Sequence, residues 1–428
     1  MKRLVPLLSA AVIAPLFSSS AFATTGYFMH AYSVKSQGNA GTSIANFQDS
    51  LTIASNPAGL SWVGSRLDAG VTLFAPDREA EIVGNTGIGF GSANGQYDGN
   101  SRKYFLIPEF GYSHPINDQL AAGIAVYGNG GMNTNYKNNP YAAFGNTGSA
   151  GINLNQLFVS PAISWEYAEN QSLALAANIL YQRFQAKGFD GFVFGSVSND
   201  STKLSNGSHD DSTGVGARIG WSAKVNDQLT LGATYASKID ASRFKKYAGL
   251  FAEQGDFDVP ENYGVGLNYQ VTPALSVAAD YQRINYSDVK SVGNDFNAAL
   301  VMSGNPELKF GGQNGPGFGW DDINVYKVSA TYQASPKLTL RAGYSYNDQP
   351  VREDQTFLNI LAPGVVQQHL SLGATWNIDQ KQEVSVAYTH ALEETVNGSN
   401  SIPGDFGGGE ANLTMDQNIL GVSYGVKF

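Results

Sequence analysis

The chain has 428 residues with 49 Gly, 22 Tyr, 23 Phe and no Cys, 14% of them charged, and a formal net charge of -10. An acidic balance disfavours nucleic acid as a partner, and without cysteine neither a disulfide scaffold nor a thiolate metal site can form. Abundant Gly and Tyr with little charge fits either a transmembrane β-barrel or a soluble all-β domain, so residue pattern has to decide.

Lys2 and Arg3 precede an apolar run from Leu4 to Phe17 and an A-x-A signal at Ala21-Phe22-Ala23, so residues 1–23 are predicted to be a signal peptide and Thr24 the first residue of the mature chain. Removing two basic residues leaves 24 against 36 acidic ones, a mature charge of 24 - 36 = -12. The run is shorter than the ~20 apolar residues of a membrane-crossing helix, and no later stretch reaches that length. Residues 24–64 do not alternate and are rich in small side chains. They must lie in the periplasm or inside a barrel, and a plug, or hatch, is the economical reading because a wide lumen cannot be filled by wall side chains alone.

From residue 65 to 428 a short polar turn repeatedly precedes an alternating strand: "NDQLAAGIAVYG" from Asn117, "ENQSLALAANILY" from Glu169, "NDQLTLGATYAS" from Asn226, "TPALSVAADYQR" from Thr272, "SPKLTLRAGYSY" from Ser335 and "DQKQEVSVAYTH" from Asp379. Each turn reads as a hairpin. Seven longer Gly/Asn/Asp/Ser-rich connections separate them, over roughly 76–101, 129–152, 188–210, 242–256, 291–317, 353–365 and 395–411. Twelve hairpin strands, one strand from Arg66 and a last one ending at Phe428 make fourteen. The predicted fold is all-β: a 14-stranded antiparallel transmembrane β-barrel of the bacterial outer membrane, with short periplasmic turns, long outer loops and an N-terminal hatch in its lumen. One strand face avoids charge, as in Leu338, Leu340, Ala342, Tyr344 and Tyr346, while Arg341, Ser345, Ser371 and Thr375 take the other. Backbone in lipid must be paired internally, so the strands have to close on themselves.

The final "GVSYGVKF" contains G-x-S-x-G at Gly421, Ser423 and Gly425, the pattern of a nucleophile elbow. It also alternates, with Val422, Tyr424, Val426 and Phe428 facing lipid, and no helix follows Ser423. The strand reading is preferred, and the Phe428 strand looks like a signal for the outer-membrane assembly machinery.

With these features the chain resembles the FadL-type outer-membrane transporters of long-chain fatty acids and hydrocarbons over essentially its whole mature length. The markers are Asn56-Pro57-Ala58, which matches the family's NPA hatch motif, "PINDQ" from Pro115, "GYSYNDQPV" from Gly343 and the terminal Phe. The resemblance implies capture of substrate in an apolar groove among the outer loops, a pocket beside the hatch, and sideways exit into the membrane at a kink in the third strand. That strand breaks into Gly128-Asn129-Gly130-Gly131; Gly128, Gly130 and Gly131 mark a bend or the start of a glycine-rich loop. Tyr27 and Phe28 are candidate pocket or plug contacts.

Apolar loop clusters occur at Phe189, Phe192, Val193 and Phe194, at Leu250 and Phe251, at Ala298 to Met302, and at Phe357, Leu358, Ile360 and Leu361. They form a binding site or hold the loops together. Arg218, Lys327 and Arg341 on the lumen face are candidates to hold a carboxylate, or pair with acids such as Asp280 and Glu109. No cofactor is expected: S-x-x-K at Ser287–Lys290 lacks its companion motifs, "GFGSANG" from Gly89 lies in a loop, and the five histidines have no paired-ligand spacing. The expected function is passive uptake of hydrophobic small molecules by a monomer surrounded by outer-membrane lipid. A general diffusion porin and an outer-membrane lipid hydrolase are the alternatives.

Overall fold

The computed structural model describes residues 25–89, 91–193 and 197–428. The signal segment, Thr24 and Phe194 lie outside the described residues, as does the side chain of Phe192. Fourteen antiparallel strands form the wall: β1 (Arg66–Val83), β2 (Phe105–Pro115), β3 (Leu120–Asn133), β4 (Gly151–Ala168), β5 (Gln171–Lys187), β6 (Asp210–Lys224), β7 (Leu229–Ala236), β8 (Asn262–Thr272), β9 (Leu275–Ile284), β10 (Ile323–Ser335), β11 (Leu338–Asn347), β12 (Gln368–Asn377), β13 (Gln382–Val396) and β14 (Glu410–Lys427). Each pairs with its neighbour in sequence, and β14 pairs with β1 from Arg66↔Lys427 to Val83↔Glu410, which closes the cylinder. A short fifteenth strand, Gly95–Asp98, folds back from the first loop onto β1.

The turns form where a short acceptor side chain caps the first free amides of the next strand. Asn117 accepts from the amides of Gln119 and Leu120, Asn226 from Gln228 and Leu229, Asp379 from Lys381 and Gln382, and Thr272 from Ala274 and Leu275. This is the physical content of the repeated N/D-D/Q signal.

Several strands run further toward the outer loops than the alternation predicts. The first loop was expected from residue 76, yet β1 stays paired to Val83, and β3 continues through the glycines to Asn133. Ladder pairing needs backbone partners and not apolar side chains, so Asp77, Glu79 and Glu81 extend β1 beyond its apolar stretch.

Leu370, Leu372, Trp376 and Val422 are exposed on the outer face, whereas Arg341, Ser345, Ser371, Thr375 and Ser423 are buried on the inner one. Ser423 sits in β14 opposite Gly70, with no elbow.

Residues 25–65 occupy the lumen, as their hydrogen bonds to wall strands on every side demonstrate. The amide of Val34 binds Glu109 in β2, Asn39 binds Thr331 in β10, Ser43 and Ile44 bind Asp280 in β9, and Ser61 binds Ser164 and Ser172 in β4 and β5. Lys35, on the helix α1 (Val34–Gly38), pairs with Glu383 of β13, which also takes a 2.5 Å contact from Arg66. Close approach depends on wall glycines. A Cβ at Gly220 would lie 2.1 Å from Asn56 Oδ1, and one at Gly232 2.2 Å from the carbonyl oxygen of Ile44.

Candidate functional site

Five outer loops, the second contributing Tyr141, converge above the hatch on an apolar cavity of about 50 Å³. Phe189, Leu250, Phe251, Leu358 and Leu361 line it, together with Phe184 from the inner face of β5 and Phe310 and Phe318 from the fifth loop. Phe251 packs against Phe184 at 4.7 Å and Phe257 at 4.9 Å between ring centroids. A second apolar cavity of about 20 Å³ adjoins it, with Ala298, Val301, Met302 and Phe406 in its wall. The apolar loop clusters therefore both hold the loops together and enclose space between them.

Beside this lies an aromatic box around the start of the hatch. Tyr27 packs against Tyr286 at 5.2 Å, and against Phe257 and Trp320 at 6.0 Å each; Phe28 stands edge-on to Tyr286 at 5.7 Å. The Tyr286 hydroxyl accepts from the amides of Tyr27 and Phe28 and donates to the carbonyl of Thr25. Indole N–H of Trp320 is held at 2.6 Å by Asn359. The N-terminal segment is thus fixed by rings from two loops.

Next to the box the wall is incomplete. The β2–β3 ladder runs from Pro115↔Ala121 only to Glu109↔Tyr127. Above it comes Pro108, which brings no N–H to either neighbour, and on β3 a register shift between Gly128 and Gly130 that leaves Asn129 as the extra residue of a bulge. Among the described residues, no backbone hydrogen bond joins Phe105–Pro108 to Gly128–Asn133. The freed edge of β3 is instead covered by the hatch: Met29 donates to Asn129 O and Gly131 donates to Tyr27 O, both at 2.9 Å. A Cβ at Gly130 would lie 2.2 Å from Tyr27 O, so this contact requires glycine. Higher up the wall is knitted together again. Asn135 pairs with Asn100 of the first loop, and the buried Arg78 guanidinium donates to the carbonyls of Asn133 and, at 2.6 Å, Arg102. An apolar cluster of Met29, Phe74, Phe105, Ile107 and Ile419 lies behind the unpaired stretch.

Asn56-Pro57-Ala58 is buried where the hatch meets β6. Asn56 Oδ1 accepts from the amide of Ala58 at 3.1 Å, and Nδ2 donates to Ile44 O at 2.7 Å and Trp221 O at 3.0 Å; Pro57 opens the following short turn. One side chain therefore joins two hatch segments to the wall. The structure places Arg218, Lys327 and Arg341 against the hatch and outside the apolar cavity. Arg218 donates to Ser55 O, Lys327 to His30 O and Arg341 to Gln48. Neither anticipated acid pairs with them by salt bridge: Asp280 and Glu109 accept hatch amides instead.

Sequence reasoning missed Phe184, Phe257, Tyr286, Phe310, Phe318 and Trp320. Phe184 was accessible from alternation, since it follows Leu180 on the inner face of β5 where the lumen turns apolar. The others are single aromatics in loops, with no periodicity to mark them.

A closed fourteen-stranded wall whose inner face is hydrogen-bonded to the N-terminal segment defines an outer-membrane transport barrel. Residues 14–428 match the family model described as outer membrane protein transport protein (OMPP1/FadL/TodX), and the chain belongs to that family. It is a transport channel of the outer membrane and not an enzyme. The long-chain fatty acid transport protein of Escherichia coli O6:H1 is 24% identical, the match covering 91% of this chain and 92% of that protein. Among solved structures, a Pseudomonas aeruginosa FadL homologue superposes with a TM-score of 0.71 at 16% identity, covering 94% of this chain and all of that one. The Pseudomonas putida toluene transporter TodX superposes with a TM-score of 0.67 at 18% identity, covering 93% and 99%.

Proposed function

We propose that this protein takes up hydrophobic small molecules passively: capture between the outer loops, passage through the aromatic box beside the hatch, and sideways exit at the unpaired stretch of β3. The observation that carries the reading is the continuity of these parts, since Tyr27 and Phe28 belong to the box and their backbone also covers the freed β3 edge. The cavity of about 50 Å³ is well below the roughly 150 Å³ of one that admits benzene, so the loops stand closed and must part for cargo. Each methylene buried contributes about 0.8 kcal/mol, so ten supply about 8 kcal/mol toward that opening. Binding favours the open arrangement only in proportion to the extra contact it gains there. A substrate class of slender apolar molecules is supported by relatives named for long-chain fatty acids and for toluene.

The reading includes a cleaved signal peptide over residues 1–23, a hatch over 24–64 and a barrel over 65–428. Phe428 is exposed at the end of the terminal strand and is suited to recognition by the assembly machinery. The wall closes through β14 and β1 and the hatch covers the freed edge of β3, so a monomer is sufficient.

Deleting Asn129 tests the route. It removes the bulge and lets β3 pair with β2 through its upper half. The variant should still migrate as a heat-modifiable folded barrel while cells lose growth on hydrophobic carbon sources and uptake of labelled fatty acid or toluene. Wild-type uptake by a folded variant would overturn lateral exit.

A further inference from the structure

The outer surface just above the lipid band carries a polar cavity of about 260 Å³ that the transport route does not use. It lies where the first loop meets the upper ends of β3, β4 and β5, and Arg102, Asn133, Asn135, Asn153, Gln185 and Lys187 are among its lining residues, with no carboxylate. Arg102 and Lys187 take part in no ion pair among the described residues, although the chain as a whole carries a net charge of -10. Two uncompensated cations beside one another repel, and an anion between them relieves that repulsion.

The amides supply a second requirement. Asn153 Oδ1 accepts from Asn133 Nδ2 and Asn155 Nδ2, each at 3.1 Å, so these side chains hold one another in place. Of the lining amides, Asn133 Oδ1 and Asn135 Oδ1 are buried without a donor. Asn133 is only 7% exposed. Buried acceptors without donors are costly unless a ligand brings hydroxyl or N–H groups to them. Arg78 fixes the cavity's geometry from beneath by binding the carbonyls of Asn133 and Arg102.

Position narrows the ligand further. Leu173, Leu175 and Ile179 on the outer face of β5 are 42%, 53% and 45% exposed, and the same face continues upward as Tyr181, Arg183, Gln185 and Lys187. Lys187 is six residues past Tyr181, roughly 20 Å along the strand and about 15 Å in height after tilt. That is headgroup depth in the outer leaflet. Arg183 at the lower edge is already engaged with Asp211 at 3.3 Å. Its neighbours are left to meet the lipid.

We propose that this cavity binds the phosphorylated sugar headgroup of an outer-leaflet glycolipid, with phosphate between Arg102 and Lys187 and sugar hydroxyls donating to the free asparagine oxygens. Full-length protein, purified in detergent, is titrated with lipopolysaccharide and binding is read by native mass spectrometry and by fluorescence of a labelled glycolipid. The R102Q/K187Q double variant should bind at least ten-fold more weakly than wild type, K337Q in the short turn between β10 and β11 at the opposite rim should bind normally, and heat-modifiable migration should confirm that both are folded. Dephosphorylated glycolipid should bind like the double variant, and ten millimolar inorganic phosphate should not displace the lipid. Asn135→Leu, which leaves both cations in place, should weaken glycolipid while leaving vesicles of phosphatidylglycerol unaffected. Equal affinity of wild type and the double variant would overturn the site, and full displacement by inorganic phosphate would reassign it as a free-anion site.

Discussion

Replacing Asn56 by alanine tests whether one carboxamide keeps the hatch seated. The side chain supplies two donors and one acceptor to buried backbone: Ile44 O, Trp221 O and the amide of Ala58. Each group left without a partner costs roughly 1–3 kcal/mol, and water entering the vacated space recovers part of that. A net penalty of about 3 kcal/mol, roughly 150-fold in the seating equilibrium, is therefore expected. Hydrogen exchange over residues 44–60 should accelerate by a comparable factor, and single-channel recordings should show brief openings absent from wild type, while heat-modifiable migration of the barrel is unchanged. Gly220→Val attacks the same contact from the wall, because its Cβ would lie 2.1 Å from Asn56 Oδ1, and should loosen the same segment with the carboxamide intact. Exchange over 44–60 within two-fold of wild type in both variants would refute the reasoning.

Phe251→Ala should loosen the closed loops: a large ring 3% exposed is removed from contact with Phe184 and Phe257, a loss on the order of 3–5 kcal/mol. Limited proteolysis of intact cells should cut the fourth loop faster, and hydrophobic cargo should bind more weakly. The fourth loop should also respond to pH. Burial, with Asp258 and Glu253 nearby, pushes Asp256 up to about 7. The folded loop therefore holds a proton that the unfolded chain releases near the ordinary Asp value. Its contribution is fully present below about pH 4 and is lost as pH rises through about 7. Exchange protection factors over 252–258 should fall between pH 5 and pH 8, and Asp256→Asn should flatten that dependence.

The barrel was legible because its rules are local. A period of two, Asx-type turns and a charge-free outer face are each written within about ten residues, and a register shift falls between Gly128 and Gly130. The chain's use of those glycines was not legible, since the bulge matters through Pro108 on the neighbouring strand and Tyr27 a hundred residues away. Arg218, Lys327 and Arg341 could be assigned to the lumen by alternation, but their partners are hatch carbonyls and an amide that no periodicity identifies. The aromatic box was invisible for the same reason: Tyr27, Phe257, Tyr286 and Trp320 meet only after four distant segments fold.

Arg78 and the Asn100–Asn135 pairing give the unpaired stretch of wall a fixed lintel, and the Glu109–Tyr127 pair gives it a sill. Between them lie four residues of β2, about 13 Å of strand, and lengthening that slit means unzipping paired backbone. On the proposed route of sideways exit, a flexible chain entering end-on would fit such a gap whatever its length, whereas a rigid molecule would be admitted or refused by its girth.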